Sequence, residues 1–223
     1  MIKAVIFDLD NTLIDFMKMK RMTIEAAASA MIDAGLSHKK EGIIKSLFRM
    51  YDKYGWEDQT IFQRYLKEKE GKVNYRILAN GINAYRRVRT GFLEAYPHVI
   101  DTLLKLSQKG IKLAIVTDAP RLKAWIRLTA MKIDPFFDIV IAFEDTKKRK
   151  PARKPFEIAL ARLKLKPEQC LMVGDMPEKD IKGAKNIGIK TCFARYGNES
   201  AASSRISDFE IRDISELLSV INP

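Results

Sequence analysis

The stretch AVIFDLDNTLID, residues 4–15, decides the fold of this chain. The apolar run from Ala4 to Phe7 is too short for a helix and too apolar for an exposed strand, so it predicts a buried strand of a parallel sheet. Asp8 and Asp10 follow directly at its carboxyl end. Buried carboxylates cost stability unless something compensates them, and ligands bind at this end of a strand in open α/β sheets. The two acids therefore mark a candidate site.

Length and composition restrict the class of protein. The 223 residues suffice for one medium domain or for a core with a smaller insert, and a hydrophobic content of 47% supports a full core. The chain has no apolar run of membrane-spanning length and no signal-peptide pattern at its start, so we expect a cytoplasmic protein without a membrane partner. Cys170 and Cys192 lie in apolar runs outside any CxxC pair, which indicates core packing in a reducing compartment.

The chain shows two different patterns of apolar residues. Over residues 16–92 these residues recur at helical spacing with almost no strand signal, and Gly55 and Gly71 separate the segments. This region predicts an inserted bundle of four helices. Residues 1–15 and 93–223 alternate short apolar runs with helical patterns, which predicts a doubly wound parallel α/β sheet as the catalytic core.

The core segments can be placed along the chain. After the first strand, the patterns predict strands at 112–116, 137–142, 170–175, 190–194 and 209–211. They predict helices at about 97–110, 121–131, 155–164, 180–188 and 214–220.

Chemically useful side chains follow the predicted strands or lie in the loops beyond them. They occur in four segments: DLDNT with Asp8, Asp10 and Thr12, IVTDA with Thr117, KRKPARKPF with its lysines, and VGDMPEKD with Asp175 and Asp180. Because the carboxyl ends of parallel strands meet at one edge of the sheet, we expect these segments to face one crevice.

In this order, the four segments resemble the four motifs of the haloacid dehalogenase-like superfamily, and the resemblance covers the whole chain. The helical block after the first motif is similar to that superfamily's C1 cap. The resemblance implies a core strand order of 5-4-1-2-3, with the strands of Asp8 and Asp175 side by side. It also implies a phosphatase with Mg²⁺ as cofactor.

Phosphoryl transfer needs a nucleophile, charge neutralisation and a proton donor. Asp8 can attack phosphorus and form an aspartyl phosphate. Asp10 can protonate the leaving alkoxide and then take a proton from the hydrolytic water. Mg²⁺ prefers oxygen ligands and would reduce the repulsion between the nucleophile and a phosphate dianion. The resemblance implies three ligands, the carboxylates of Asp8 and Asp175 and the backbone carbonyl of Asp10.

A second group of residues is expected to bind the transferring phosphate. Thr117 and the adjacent Asp118 would contribute hydroxyl and backbone N–H donors. A lysine would neutralise further charge. Lys150 fits the spacing of the family's Lys-Pro segment, and Lys154, in a second Lys-Pro pair, is its rival.

Three residues are expected to support the site. Thr12 belongs to the first motif, and Gly174 permits close approach of the chain. Asp180 would orient Lys150 or a metal-bound water, or cap the helix that follows. Met176 departs from the family's common fourth motif, where a small polar residue is frequent.

The leading functional hypothesis is a phosphatase acting on a small phosphorylated metabolite of the sugar, triose or glycolate phosphate type. A phosphomutase with the same core chemistry is the main alternative. A non-catalytic nucleic-acid-binding module would use the net charge of +12 and the basic run Lys147–Lys154. It would leave the clustered acids unexplained, and no base-stacking motif accompanies the run, so we do not expect nucleic acid as a partner. The sequence leaves the oligomeric state open.

Overall fold

Contacts within the chain separate two units in the computed structural model, which describes residues 1–201 and 207–221. One unit joins Met1–Asp15 to Glu94–Pro223 and is called the core unit below. The other unit, Phe16–Leu93, is called the helical unit.

Among the described residues of the core unit, six strands form one sheet, and every neighbouring pair is parallel. The sheet order is β3-β2-β1-β4-β5-β6. The strands are β1 (Ala4–Phe7), β2 (Lys112–Val116), β3 (Ile139–Ile141), β4 (Cys170–Gly174), β5 (Lys190–Ala194) and β6 (Phe209–Ile211). The predicted parallel α/β sheet is therefore confirmed. Its order contains the expected 5-4-1-2-3 core read from the opposite edge, with β6 added beyond β5.

The first strand lies in the middle of this sheet, with β2 on one side and β4 on the other. Phe7, its last residue, pairs with Ile115 of β2 and with Val173 of β4. All four residues of β1 are fully buried, which explains why the run has no polar alternation. Cys170 and Cys192 are buried as free thiols in the two strands beyond it.

The helical unit contains α1 (Phe16–Asp33), α2 (Lys40–Tyr54), α3 (Ile61–Glu70) and α4 (Tyr75–Gly91). Their apolar faces share one buried core. A side chain at Gly81 of α4 would overlap Met31 of α1, so this glycine allows the two helices to approach closely. Asn74 caps α4 by accepting hydrogen bonds from the N–H groups of Arg76 and Ile77.

The helices of the core unit flank the sheet connections. They are α5 (Val99–Gln108), α6 (Arg121–Ala130), α7 (Phe143–Thr146), α8 (Arg153–Leu163), α9 (Lys182–Lys185) and α10 (Leu217–Ile221). None of the helices in the described part of the chain combines the length and apolar character that crossing a bilayer requires.

The predicted helix over 180–188 is wrong in its form. The chain instead makes one wide π-helical turn over Pro177–Ile181, which continues into the short α9. Gly188, at a φ of 83°, lies just beyond it. A π-helical turn re-aims side chains that a regular helix would place elsewhere, and such turns are frequent at functional sites. Here the turn contains Asp180.

Candidate active site

An acidic cluster lies at the carboxyl ends of two neighbouring strands. It consists of Asp8, directly after β1, and of Asp175 and Asp180, which follow β4. Each contributes a carboxylate oxygen, and these oxygens lie within 4.8 Å of one another. All three residues are buried. The N–H of Asp8 donates to the carbonyl of Val173 at 2.9 Å, so the sheet ladder itself fixes the position of Asp8.

Lys150 enters this cluster from the loop before α8. Its Nζ lies 2.5 Å from Oδ1 of Asp8 and 2.6 Å from Oδ1 of Asp180, and it donates to the carbonyl of Val116 at 3.0 Å. The lysine is 4% exposed. Lys154, its rival in the sequence, lies exposed on α8. The structure therefore brings Lys150 to the predicted nucleophile.

Burial and mutual repulsion disturb the titration of this cluster. Burial raises the pKa of Asp8 to about 7 despite the attraction of Lys150, and the carboxylates of Asp180 and Asp10 add to the rise. Burial likewise raises the pKa of Asp175 to about 9, with repulsion from Asp8 and Asp180. For Lys150, burial lowers the pKa, but the surrounding carboxylates outweigh it and raise the pKa above its usual value.

The donor set fits a divalent cation. When ionised, the three carboxylates of the acidic cluster and the single ammonium of Lys150 carry a surplus of two negative charges. Hard divalent cations bind such groups of carboxylate oxygens. Burial and repulsion between carboxylates raise the pKa values of Asp8 and Asp175, and a bound cation would oppose both effects by compensating the negative charge.

The turn after β4 is built around Asp180. A Cβ atom at Gly174 would overlap the carboxylate of Asp180, so only glycine leaves room for this side chain. The N–H of Met176 donates to Oδ2 of Asp180 at 3.0 Å. The other oxygen contacts Lys150. This contact is the one that the expected role of orienting Lys150 requires.

Thr117 and Asp118 lie at the carboxyl end of β2. Thr117 is 5% exposed, and its hydroxyl accepts a hydrogen bond from the N–H of Ala119 at 3.1 Å. Oδ1 of Asp118 accepts from the backbone N–H of Lys150 at 2.9 Å. The Asp118 side chain therefore ties the lysine segment to β2.

The turn after β1 carries Asp10 and Thr12, and a loop after β5 supports it. Asn11 adopts a left-handed conformation with φ 57°, and Thr12 is fully buried. The hydroxyl of Tyr196 donates to the carbonyl of Thr12 at 2.8 Å. A Cβ atom at Gly197 would overlap the carbonyl of Asn11, so the two loops touch through backbone.

The same loop also reaches the segment that carries Asp175. The side-chain amide of Asn198 donates to the carbonyl of Asp175 at 3.2 Å. The sequence analysis did not identify this support. An aromatic residue followed by glycine and asparagine directly after a predicted strand was the available signal.

Asp10 lies at the edge of the cluster and forms an ion pair with a residue that the sequence analysis also missed. Oδ2 of Asp10 accepts a hydrogen bond from Nη1 of Arg127 at 2.7 Å. The side chain of Asp10 is 26% exposed and that of Arg127 is 6% exposed. An arginine on the same helical face as the buried residues Ala124 and Leu128 was the available signal.

Comparisons with known proteins identify the family of this chain. The sequence profile of the haloacid dehalogenase-like hydrolase family matches residues 5–194. This chain belongs to that family. Glyceraldehyde 3-phosphate phosphatase from Methanocaldococcus jannaschii is 35% identical to it, over 99% of this chain and 97% of that protein. Pyrophosphatase PpaX from Bacillus cereus is 29% identical, over 99% and 97% of the two chains.

Solved structures show the same fold. The HAD-hydrolase YfnB from Bacillus subtilis, in a form bound to magnesium, superposes with a TM-score of 0.74 over 100% of this chain and 99% of that chain, at 24% identity. With the family and its phosphatase members, the prediction of a phosphatase is confirmed. The chain is a phosphoric monoester hydrolase, in a family whose phosphatases generally use a divalent metal.

Proposed function

We propose that this phosphatase hydrolyses a triose phosphate, with glyceraldehyde 3-phosphate as the first substrate to test, in a Mg²⁺-dependent reaction with Asp8 as the nucleophile. The observation that carries the chemistry is the contact between Lys150 and Asp8 inside the acidic cluster. The substrate class is supported by the similarity to glyceraldehyde 3-phosphate phosphatase from Methanocaldococcus jannaschii.

Asp8 attacks the phosphorus atom in the first step. A bond forms between a carboxylate oxygen and phosphorus as the bond from phosphorus to the ester oxygen breaks. Lys150 orients the carboxylate through Oδ1 and neutralises charge on the transferring oxygens. Thr117 and the backbone N–H groups at the end of β2 bind the same oxygens. The product of this step is an aspartyl phosphate on Asp8.

Asp10 moves the proton in both steps. It gives a proton to the ester oxygen as this oxygen leaves, and the alcohol departs neutral. Asp10 then accepts a proton from the water that attacks the aspartyl phosphate. Inorganic phosphate leaves, and both carboxyl groups return to their starting state.

The residues that would hold Mg²⁺ are Asp8 and Asp175, together with the backbone carbonyl of Asp10. Asp180 belongs to the same acidic cluster. When bound, Mg²⁺ reduces the repulsion between the phosphate dianion and the attacking carboxylate. The donor chemistry supports this choice because every candidate ligand atom is oxygen.

The first test measures phosphate release from a panel of phosphorylated metabolites with Mg²⁺ and with a chelator. We expect glyceraldehyde 3-phosphate among the best substrates. The Asp8→Asn variant should lose activity by at least about 10³-fold, because no covalent intermediate can form. Asp101→Asn, an exposed aspartate of α5 that pairs with Lys105, is the matched control and should retain full activity.

The products decide between the two reactions that this core chemistry supports. Inorganic phosphate and free triose support hydrolysis, whereas an isomerised sugar phosphate would identify a phosphomutase. Full activity of Asp8→Asn would overturn the covalent mechanism.

A further inference from the structure

Arg127 is an unusual residue for its position in the core unit. It lies on α6, the helix that follows the Thr117–Asp118 segment, and it shares the buried face of this helix with Ala124 and Leu128. A charged side chain on such a face is costly unless a partner of opposite charge compensates it. The partner here is Asp10, at 2.7 Å.

We propose that Arg127 positions Asp10 for proton transfer to the leaving oxygen, an inference that rests on the acid role assigned to Asp10 in the proposed function. Asp10 extends from a turn, directly before Asn11 at φ 57°. Arg127 extends from a helix whose neighbouring side chains are packed in the core. The hydrogen bond from Arg127 therefore fixes a carboxyl group on a turn to a packed helix, and Oδ2 can accept this bond whether Asp10 is ionised or protonated.

The contact joins the guanidinium to one carboxyl oxygen of Asp10, because Nη1 of Arg127 donates to Oδ2. As the proton passes to the ester oxygen, Asp10 becomes a carboxylate, and the guanidinium stabilises the charge that develops there. The same pair is present when Asp10 accepts a proton from water in the second step.

Burial argues against a direct role of Arg127 in substrate binding. Its side chain is only 6% exposed, whereas that of Asp10 is 26% exposed. A substrate can therefore reach the carboxyl group more readily than the guanidinium. Arg127 acts through Asp10 and is a positioning residue.

The test uses the dependence of the rate on the leaving group. An alkyl phosphate needs a proton on its leaving oxygen, whereas p-nitrophenyl phosphate releases a stable phenolate without one. The ratio of kcat/KM between these two esters therefore measures proton delivery in the first step. It is to be measured with Mg²⁺ for the wild type, Asp10→Asn, Arg127→Met, Arg127→Lys and the double variant Asp10→Asn/Arg127→Met.

We expect Arg127→Met to lower kcat/KM for the alkyl phosphate by about 30-fold and for p-nitrophenyl phosphate by less than about 3-fold. Methionine keeps the apolar stem of the arginine and limits the loss of packing. Arg127→Lys keeps the charge and should restore part of the alkyl phosphate activity. The double variant should be no slower than Asp10→Asn, because the proposed role of Arg127 in proton transfer is exerted through Asp10.

A matched control is present on the same helix. Arg121 forms an ion pair with Asp145 at 3.0 Å, away from Asp10. Arg121→Met should therefore change neither ester by more than about 2-fold, because more than half of the Arg121 side chain is exposed to solvent.

The outcomes separate the inference from the function on which it rests. If Asp10→Asn changes the ester ratio and Arg127→Met and Arg127→Lys lower both esters equally, Arg127 is only structural and the inference is wrong. If Asp10→Asn itself lowers both esters equally, the acid role of Asp10 is wrong and the inference is overturned with it.

Discussion

The core unit buries Lys150 and the helical unit buries Lys20, and each is about equally hidden from solvent, at 4% exposure. Carboxylates surround Lys150. Aromatic rings surround Lys20, whose Nζ lies 4.0 Å from the centre of the Tyr51 ring and donates to the hydroxyl of Tyr85 at 3.0 Å. A buried ammonium is thus compensated by full charges in one unit and by ring faces and a neutral hydroxyl in the other.

The different surroundings of the two lysines indicate different roles, a role in chemistry for Lys150 and a role in packing for Lys20. In the cluster around Lys150, burial and repulsion between carboxylates raise the pKa values of Asp8 and Asp175, and oxygen ligands of this kind can bind a divalent cation. Aromatic rings attract an ammonium through their quadrupoles rather than through a full negative charge. Substitution of each lysine should therefore have different consequences.

The largest effect is expected from Lys150→Met. Removal of the ammonium leaves Asp8 without its orienting contact and leaves the transferring oxygens without a counter-charge. Turnover of the best phosphate ester with Mg²⁺ should fall by about 10³-fold.

Lys154→Met is the matched control for this experiment, because Lys154 is the exposed lysine of the second Lys-Pro pair. It should retain at least half of the activity. A severe loss of activity in Lys154→Met together with an active Lys150→Met would contradict the prediction and would assign the phosphate-neutralising role to Lys154.

The second expected effect is a dependence of stability on pH that a divalent cation removes. The pKa values of Asp8 and Asp175 are raised, so the folded chain holds protons that the unfolded chain releases above about pH 4. The free energy of unfolding should therefore fall as pH rises through about 7 and 9, by up to about 1.4 kcal/mol per pH unit for each titrating group.

This prediction is measured as urea unfolding in a chelator between pH 5 and 9, for the wild type and Asp175→Asn. Asparagine removes one titrating group, so the variant should lose stability less steeply than the wild type. Mg²⁺ should flatten the wild-type curve and have a smaller effect on the variant. Identical curves for the two proteins would mean that the pKa of Asp175 is not raised in the folded chain.

Local sequence patterns carry much of this fold. The strands follow from short apolar runs, because a strand buried on both faces needs no polar alternation, and β1 shows this over Ala4–Phe7. Parallel pairing of the strands alone predicts that their carboxyl ends share one edge of the sheet, where Asp8, Thr117 and Asp175 lie.

The remaining features depend on contacts between distant parts of the chain. Arg127 and Asp10 are 117 residues apart, and the spacing of apolar residues in a helix does not predict that its arginine will contact a distant turn. The support from Tyr196 to Thr12 spans 184 residues. The sequence predicts a regular helix from residue 180, whereas Asp180 lies in a π-helical turn and contacts Lys150, 30 residues away, a contact that local periodicity does not predict.

The smallest effect is expected from Lys20→Met in the helical unit. The substitution removes a cation–π attraction of about 0.5–2 kcal/mol and also removes the cost of keeping an ammonium out of water. Because the two terms oppose each other and methionine keeps the apolar stem, the free energy of unfolding should change by less than about 1 kcal/mol.

Lys53→Met is the matched control, since Lys53 lies 5.0 Å from the exposed Tyr54 ring and its substitution should cost little stability. A double-mutant cycle of Lys20→Met with Tyr51→Leu should give a coupling energy of about 1 kcal/mol. A loss above about 3 kcal/mol in Lys20→Met alone would mean that its ammonium is tied to its surroundings as firmly as a buried ion pair, and the contrast with Lys150 would fail.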